Sequence, residues 1–76
     1  MFNVLDAVVL TSDISDDRLR RGDLGAIVEV YGPDFEVEFV AASDRTQALV
    51  TLSVADLRRV DDRDLISVRT LEQSAG

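Results

Sequence analysis

The sequence predicts an all-β domain of five short strands, and three observations carry that prediction. Phe35-Glu36-Val37-Glu38-Phe39 alternates apolar and acidic residues strictly, the period of a strand with one face in a core. Gly22, Gly25 and the pair Gly32-Pro33 punctuate the apolar stretches, where strand entries and tight turns need them. The C-terminal part, with Leu65, Val68 and Leu71, offers only a poor helical stripe.

The elements follow in order. Residues 4–10 are rich in β-branched side chains and form the first strand. With Asp6 in water, Leu5, Ala7 and Val9 point inward, and Val4, Val8 and Leu10 fall on the opposite face. Residues 11–23 are a long polar loop, a length that in a compact domain usually has a purpose, with Ile14 and Leu19 tucked against the core. Residues 24–31 are the second strand. Tyr31-Gly32-Pro33-Asp34 is a tight turn, and Phe35, Val37 and Phe39 of the third strand face the core while Glu36 and Glu38 face solvent. A polar turn at 41–45 leads to a fourth strand at 47–52. Ser53 and Asp56 have the spacing of a capping box, so one helical turn precedes a last short strand at 57–60. A strand, a single 3-10 turn and a final strand is how small SH3-like barrels close, and closure protects strand edges. Residues 1–60 are therefore read as a five-stranded SH3-like barrel. Residues 61–76 are read as a partly ordered or disordered tail, in which Ile66 and Val68 offer one further strand and residues 73–76 are disordered.

Composition narrows the function. Seventy-six residues make one thin-cored domain, burying about 60% of the surface its unfolded chain exposes. The chain has no cysteine and no histidine, and its eight basic residues are all arginine. Disulfides, structural zinc, Ser-His and Cys-His nucleophiles, lysine Schiff bases and the P-loop are thereby excluded. No cofactor and no catalytic residue is expected, and the chain reads as a non-enzyme. Its net charge of −7 disfavours phosphate backbones and favours basic partners. Residues 4–10 are interrupted by Asp6 and lack a basic leader, so no secretory signal is read. No apolar run nears membrane-spanning length, and a cytoplasmic location is expected.

Three groups of residues are candidates for binding. Asp13, Asp16 and Asp17 fail the calcium-loop pattern, because Arg18 stands at its glycine position and Leu24 at its terminal glutamate; they read as a solvated acidic loop able to steer a basic protein. Arg21-Gly22-Asp23 is a turn sequence. Arg18, Arg20, Arg21, Arg58 and Arg59 make one basic patch if the first loop adjoins the last strand. The alternative is that they pair with Asp13, Asp16, Asp17, Asp61 and Asp62. Val4, Val8 and Leu10, with Ile27, exceed what one thin core needs; exposed, they form a protein-binding or dimer surface, and otherwise a bent barrel or the tail covers them.

Three segments together carry a family resemblance: Asp6-Ala7-Val8-Val9-Leu10-Thr11, then residues 19–31 (LRRGDLGAIVEVY), then Phe35-Glu36-Val37-Glu38-Phe39-Val40. They resemble a small bacterial family, common in cyanobacteria and catalogued as a domain of unknown function of the DUF4926 type. The likeness runs from about residue 5 to residue 60 and includes Leu57-Arg58-Arg59-Val60; the tail departs from it. The resemblance implies no activity and no site residue. It implies a companion protein, encoded by an adjacent gene, in pairs that suggest a toxin and its neutraliser. Gly22-Asp23-Leu24-Gly25-Ala26-Ile27-Val28 is also similar to the KOW motif of ribosomal and transcription-factor barrels. The expected function is a non-enzymatic protein-interaction module, antitoxin- or immunity-like. A KOW-like RNA- or DNA-binding barrel and a structural homodimer are the alternatives.

Overall fold

Phe35, Val37 and Phe39 are buried, as the alternation predicts, and the rest of the domain is arranged around them. The computed structural model describes residues 2–71. Five strands, β1 (Ala7–Leu10), β2 (Leu24–Tyr31), β3 (Asp34–Val40), β4 (Thr46–Ser53) and β5 (Leu57–Arg59), form one antiparallel sheet in the order β4-β3-β2-β1-β5. A 3-10 turn at Ser15–Asp17 lies in the first loop, and a second at Val54–Asp56 precedes β5. The predicted five-stranded SH3-like barrel is the observed fold. Gly32, at φ +59°, and Pro33 form a two-residue hairpin loop between β2 and β3, where glycine in the first loop position permits the turn. Asp56 Oδ2 accepts from Ser53 N at 3.3 Å and from Ser53 Oγ at 3.2 Å, forming the predicted cap.

Closure comes from side chains. No ladder joins β4 to β5 among the described residues; instead Leu52 of β4 and Leu57 of β5 enter the same core as Val8, Leu10, Ile27 and the β3 residues. Phe2 plugs one end, edge-on to Phe35 with ring centroids 5.4 Å apart, and the Arg59 guanidinium lies 5.3 Å over its ring.

The first strand differs from its predicted form. Asn3 N donates to Asp6 Oδ2 at 2.8 Å, and Asp6 N donates to Asn3 O at 3.0 Å, a local turn that side-chain oxygens of this length favour. Leu5 takes φ +75° within it. The strand therefore begins only at Ala7, and its facing is reversed from the predicted one. Val8 and Leu10 point into the core at 0% and 1% exposure, whereas Leu5 and Ala7 are exposed. Val9 is buried on the other face, where Leu24 and Arg58 flank it across the two ladders.

In the first loop, Ile14 and Leu19 bridge each other and pack on the core as expected. Gly22 supplies a positive φ of +94°, and Gly25 supplies close approach: a Cβ there would lie 2.7 Å from Val37 Cγ1 and 2.8 Å from Phe39 Cε1. The described part of the tail, residues 61–71, contains no strand, and Leu65, Ile66 and Val68 are exposed. Residues 73–76 lie outside the described residues.

Candidate interaction surface

The outer face of β2, β3 and β4 gathers three of the chain's four glutamates. Continued alternation from the buried Ile27 would turn Glu29 into the core. A bulge at Val28 prevents this: Ile27 pairs with Val37, but Glu29 pairs with Glu36, so one extra residue on β2 rotates Glu29 outward. Glu29 and Glu36 then stand directly opposite each other on the solvent face, with Glu38 two residues along β3 and opposite Leu49 of β4. The Tyr31 hydroxyl donates to Glu36 Oε2 at 3.0 Å and Thr46 Oγ1 donates to Glu38 Oε2 at 2.6 Å. The hydrogen bond to Glu36, the Glu36 charge and the more distant Glu29 charge raise the Tyr31 phenol above its ordinary pKa. Among the described residues no ion pair involves a glutamate.

Every such pair uses an aspartate, and they lie at the β1, β5 and tail side. Arg58 binds Asp64 through both carboxylate oxygens at 2.8 and 2.9 Å, Arg59 reaches Asp6 at 3.2 Å, and Arg63 reaches Asp61 at 3.0 Å. The Arg58 hydrogen bond, together with the Asp61 backbone N–H, lowers the Asp64 carboxyl to about 2. Arg69 forks onto both oxygens of Asp23, with Nε at 2.8 Å, and also donates to Arg18 O at 3.1 Å. Partial burial raises the Asp23 carboxyl, but the bonds from Arg69 and from Arg20 N and the two guanidinium charges outweigh it, leaving the pKa below the ordinary value. These contacts tie the tail back across the first loop.

The sequence-predicted site residues are thus redistributed. Asp13 accepts from Arg21 N at 2.8 Å and so organises its own loop. Asp16 and Asp17 lie on the first 3-10 turn, beside Arg18, whose φ of +58° ends it. Arg20 N donates to Asp23 Oδ2 at 2.8 Å. Arg58 and Arg59 do pair with carboxylates, but with Asp64 and Asp6 rather than Asp61 and Asp62. The basic side chain that reaches the loop is Arg69, outside the predicted set. Of the predicted apolar surface, Val8, Leu10 and Ile27 are core residues, because the bent barrel encloses them. Only Val4 remains at the surface, half exposed. The dimer or partner face built on Val4, Val8 and Leu10 is withdrawn. Among the described residues no side chains are grouped to hold a metal ion, and no helix is long and apolar enough to cross a membrane.

The comparison with protein families decides the relationship. The family described as a domain of unknown function, DUF4926, matches residues 4–59. The chain belongs to that family. No curated protein and no solved structure matches it. The matched span covers β1 to β5, so the barrel is the DUF4926 domain, and of the Asp23–Arg69 pair Asp23 lies within the span and Arg69 beyond it. Where the tail crosses this domain, a shallow groove of about 340 Å³ opens between Leu24, Phe39 and Val40 on the sheet side and Val68 and Leu71 on the tail side. Among the described residues no polar or charged residue is buried, and no buried polar side-chain atom lacks a partner. Glu29 and Tyr31 escaped sequence reasoning because the bulge that turns them outward leaves no mark in the residue pattern. Arg69 escaped because its partner lies 46 residues away.

Proposed function

We propose that this DUF4926 domain is a protein-interaction module without chemistry of its own, and that its partner presents arginine or lysine side chains to the glutamate face. The observation supporting this reading is the Glu29–Glu36 pair, opposed across β2 and β3 and, among the described residues, in no ion pair. Like charges directly opposite in a ladder destabilise it, on the scale of about 0.2–1 kcal/mol for cross-strand pairs. A basic partner relieves that repulsion and gains charge-assisted hydrogen bonds. Exposed Tyr31 supplies an aromatic contact on the same face, and Asp16 and Asp17 extend the field that steers encounter. The partner class that family resemblance implies, a toxin-like protein encoded by the adjacent gene and neutralised by this one, has the required character if its contacting surface is basic. The acidic face and the commitment of Arg58, Arg59, Arg63 and Arg69 to aspartates favour a protein over a nucleic acid.

Co-expression with the adjacent gene product, followed by calorimetry, tests the proposal. The expected complex weakens as salt rises, and E29Q/E36Q/E38Q loosens it roughly tenfold or more. Absence of a complex, or a triple variant that binds as tightly as the parent, refutes it.

A further inference from the structure

The glutamates occupy a sheet face; a sheet edge has separate properties. β4 is the sheet's long unpaired edge. It pairs with β3 on one side, and among the described residues no backbone hydrogen bond reaches it from any other element. The opposite edge, β5, is blunted: it is three residues long and carries Arg58 and Arg59, both bound to aspartates. Shortness and charge are the usual protections of an edge strand. β4 has neither. It is eight residues long and holds no proline and no charged side chain. It falls within residues 46–55, the longest uncharged run of a chain with net charge −7. Its outward side chains Leu49 and Thr51 are exposed, Leu49 at 55%.

We infer that β4 pairs with β4 of a second copy, antiparallel about a two-fold axis, so that one sheet runs through the dimer. A strand paired with itself in this way is isologous and makes its main-chain bonds without needing complementary charges. Two copies of so acidic a chain repel over most of their surfaces, and the uncharged strand is where they approach without opposing carboxylates. Glu36 and Glu38 sit one strand inward, so across the interface they face their counterparts over three strand spacings, about 14 Å. That exceeds the Debye length of about 8 Å at physiological salt. The dimer therefore tightens as salt rises, whereas binding of a basic partner to the glutamate face weakens, which separates this inference from the proposed function.

Sedimentation equilibrium on the full chain at low and physiological salt tests it, together with amide exchange across β4. The expected result is a doubling of mass with concentration, favoured by salt, and slowing of exchange at residues 46–53 over the same range. L49K/T51K places each lysine opposite its own chain's glutamate, Glu38 and Glu36 respectively, which preserves the fold while charging the edge. That variant is expected to remain a monomer. A parent chain monomeric at every concentration, or a folded variant that dimerises as strongly as the parent, overturns the inference. Should the variant fail to fold, β4 exchange in the parent that does not depend on concentration overturns it equally.

Discussion

Gly25→Ala is the substitution most tightly specified by the packing of this barrel. Gly25 sits on the inner face of β2, and a Cβ there would lie 2.7 Å from Val37 Cγ1, 2.8 Å from Phe39 Cε1 and 3.1 Å from Glu38 O. Carbon atoms normally meet at about 3.5–4.0 Å, so both side chains must retreat by roughly 1 Å. Neither has room: Val37 and Phe39 are buried in the centre of the core. The carbonyl oxygen belongs to β3, whose pairing with β2 holds Ala26 opposite Glu38. Overpacking of this kind costs about 1–3 kcal/mol, offset by about 0.4–1 kcal/mol from the less flexible unfolded chain. A net loss of about 1–2 kcal/mol is expected, with melting lowered by about 4–8 °C per kcal/mol in a domain of this size. Thermal and urea denaturation followed by circular dichroism measure it. Val37→Ala should relieve part of the overlap, so the double variant should be more stable than the two single losses imply, by at least about 0.5 kcal/mol. G25A that melts with the parent, or strict additivity with V37A, would show that β2 does not lie against Val37 and Phe39 as described.

Two further outcomes follow from burial and from the aspartate clasp. Leu10→Ala should cost about 2–5 kcal/mol as a core truncation, while Val4→Ala should stay within about 0.5 kcal/mol; comparable losses in denaturant titrations would restore the opposite facing of β1. Asp23, Asp61 and Asp64 all have folded-state pKa values below their ordinary 3.8, Asp64 at about 2. A depressed carboxyl contributes stability that is complete above its unfolded value and is lost as pH falls through the folded one. The tail should therefore loosen between about pH 4 and pH 2, seen as movement of the residue 61–71 NMR signals toward random-coil positions; signals unmoved at pH 2 would count against the clasp.

What could be read in the residues was what local chemistry determines. The alternation at Phe35, Val37 and Phe39, the Gly32-Pro33 loop and the Ser53–Asp56 cap act over a few positions, and each is present where the sequence places it. The facing of β1 was not legible. Apolar residues on both sides of residues 4–10 fit either orientation, and the choice rests on the Asn3–Asp6 turn with Leu5 at positive φ. A one-residue change of phase exchanges the two faces of a strand, so Val8 and Leu10 passed from presumed surface to core. The bulge at Val28 acts likewise on β2, turning Glu29 out. The Asp23–Arg69 pair joins residues remote in sequence, and no local pattern announces such a contact.

The two acidic residue types are sorted by place, and the sorting connects the structure to its proposed role. Aspartates, with short side chains suited to turns, sit in the first loop and the tail, where they accept from neighbouring backbone N–H groups and hold arginines. Asp6, Asp23, Asp61 and Asp64 spend their charge on arginines inside the molecule. The glutamates at 29, 36 and 38 stand on the outer sheet face, where they accept from the Tyr31 and Thr46 hydroxyls and the Val30 backbone N–H, none of them a cation. A chain selected for stability alone would set an arginine among them, as it does around Asp6, Asp23, Asp61 and Asp64. On the proposed reading, leaving Glu29 against Glu36 costs the free domain some stability and leaves a negative field that a basic partner would meet. Next to this charged face runs β4, uncharged throughout, so the two proposed associations, of a basic partner with the glutamates and of β4 with a second copy, are expected to respond to salt in opposite directions.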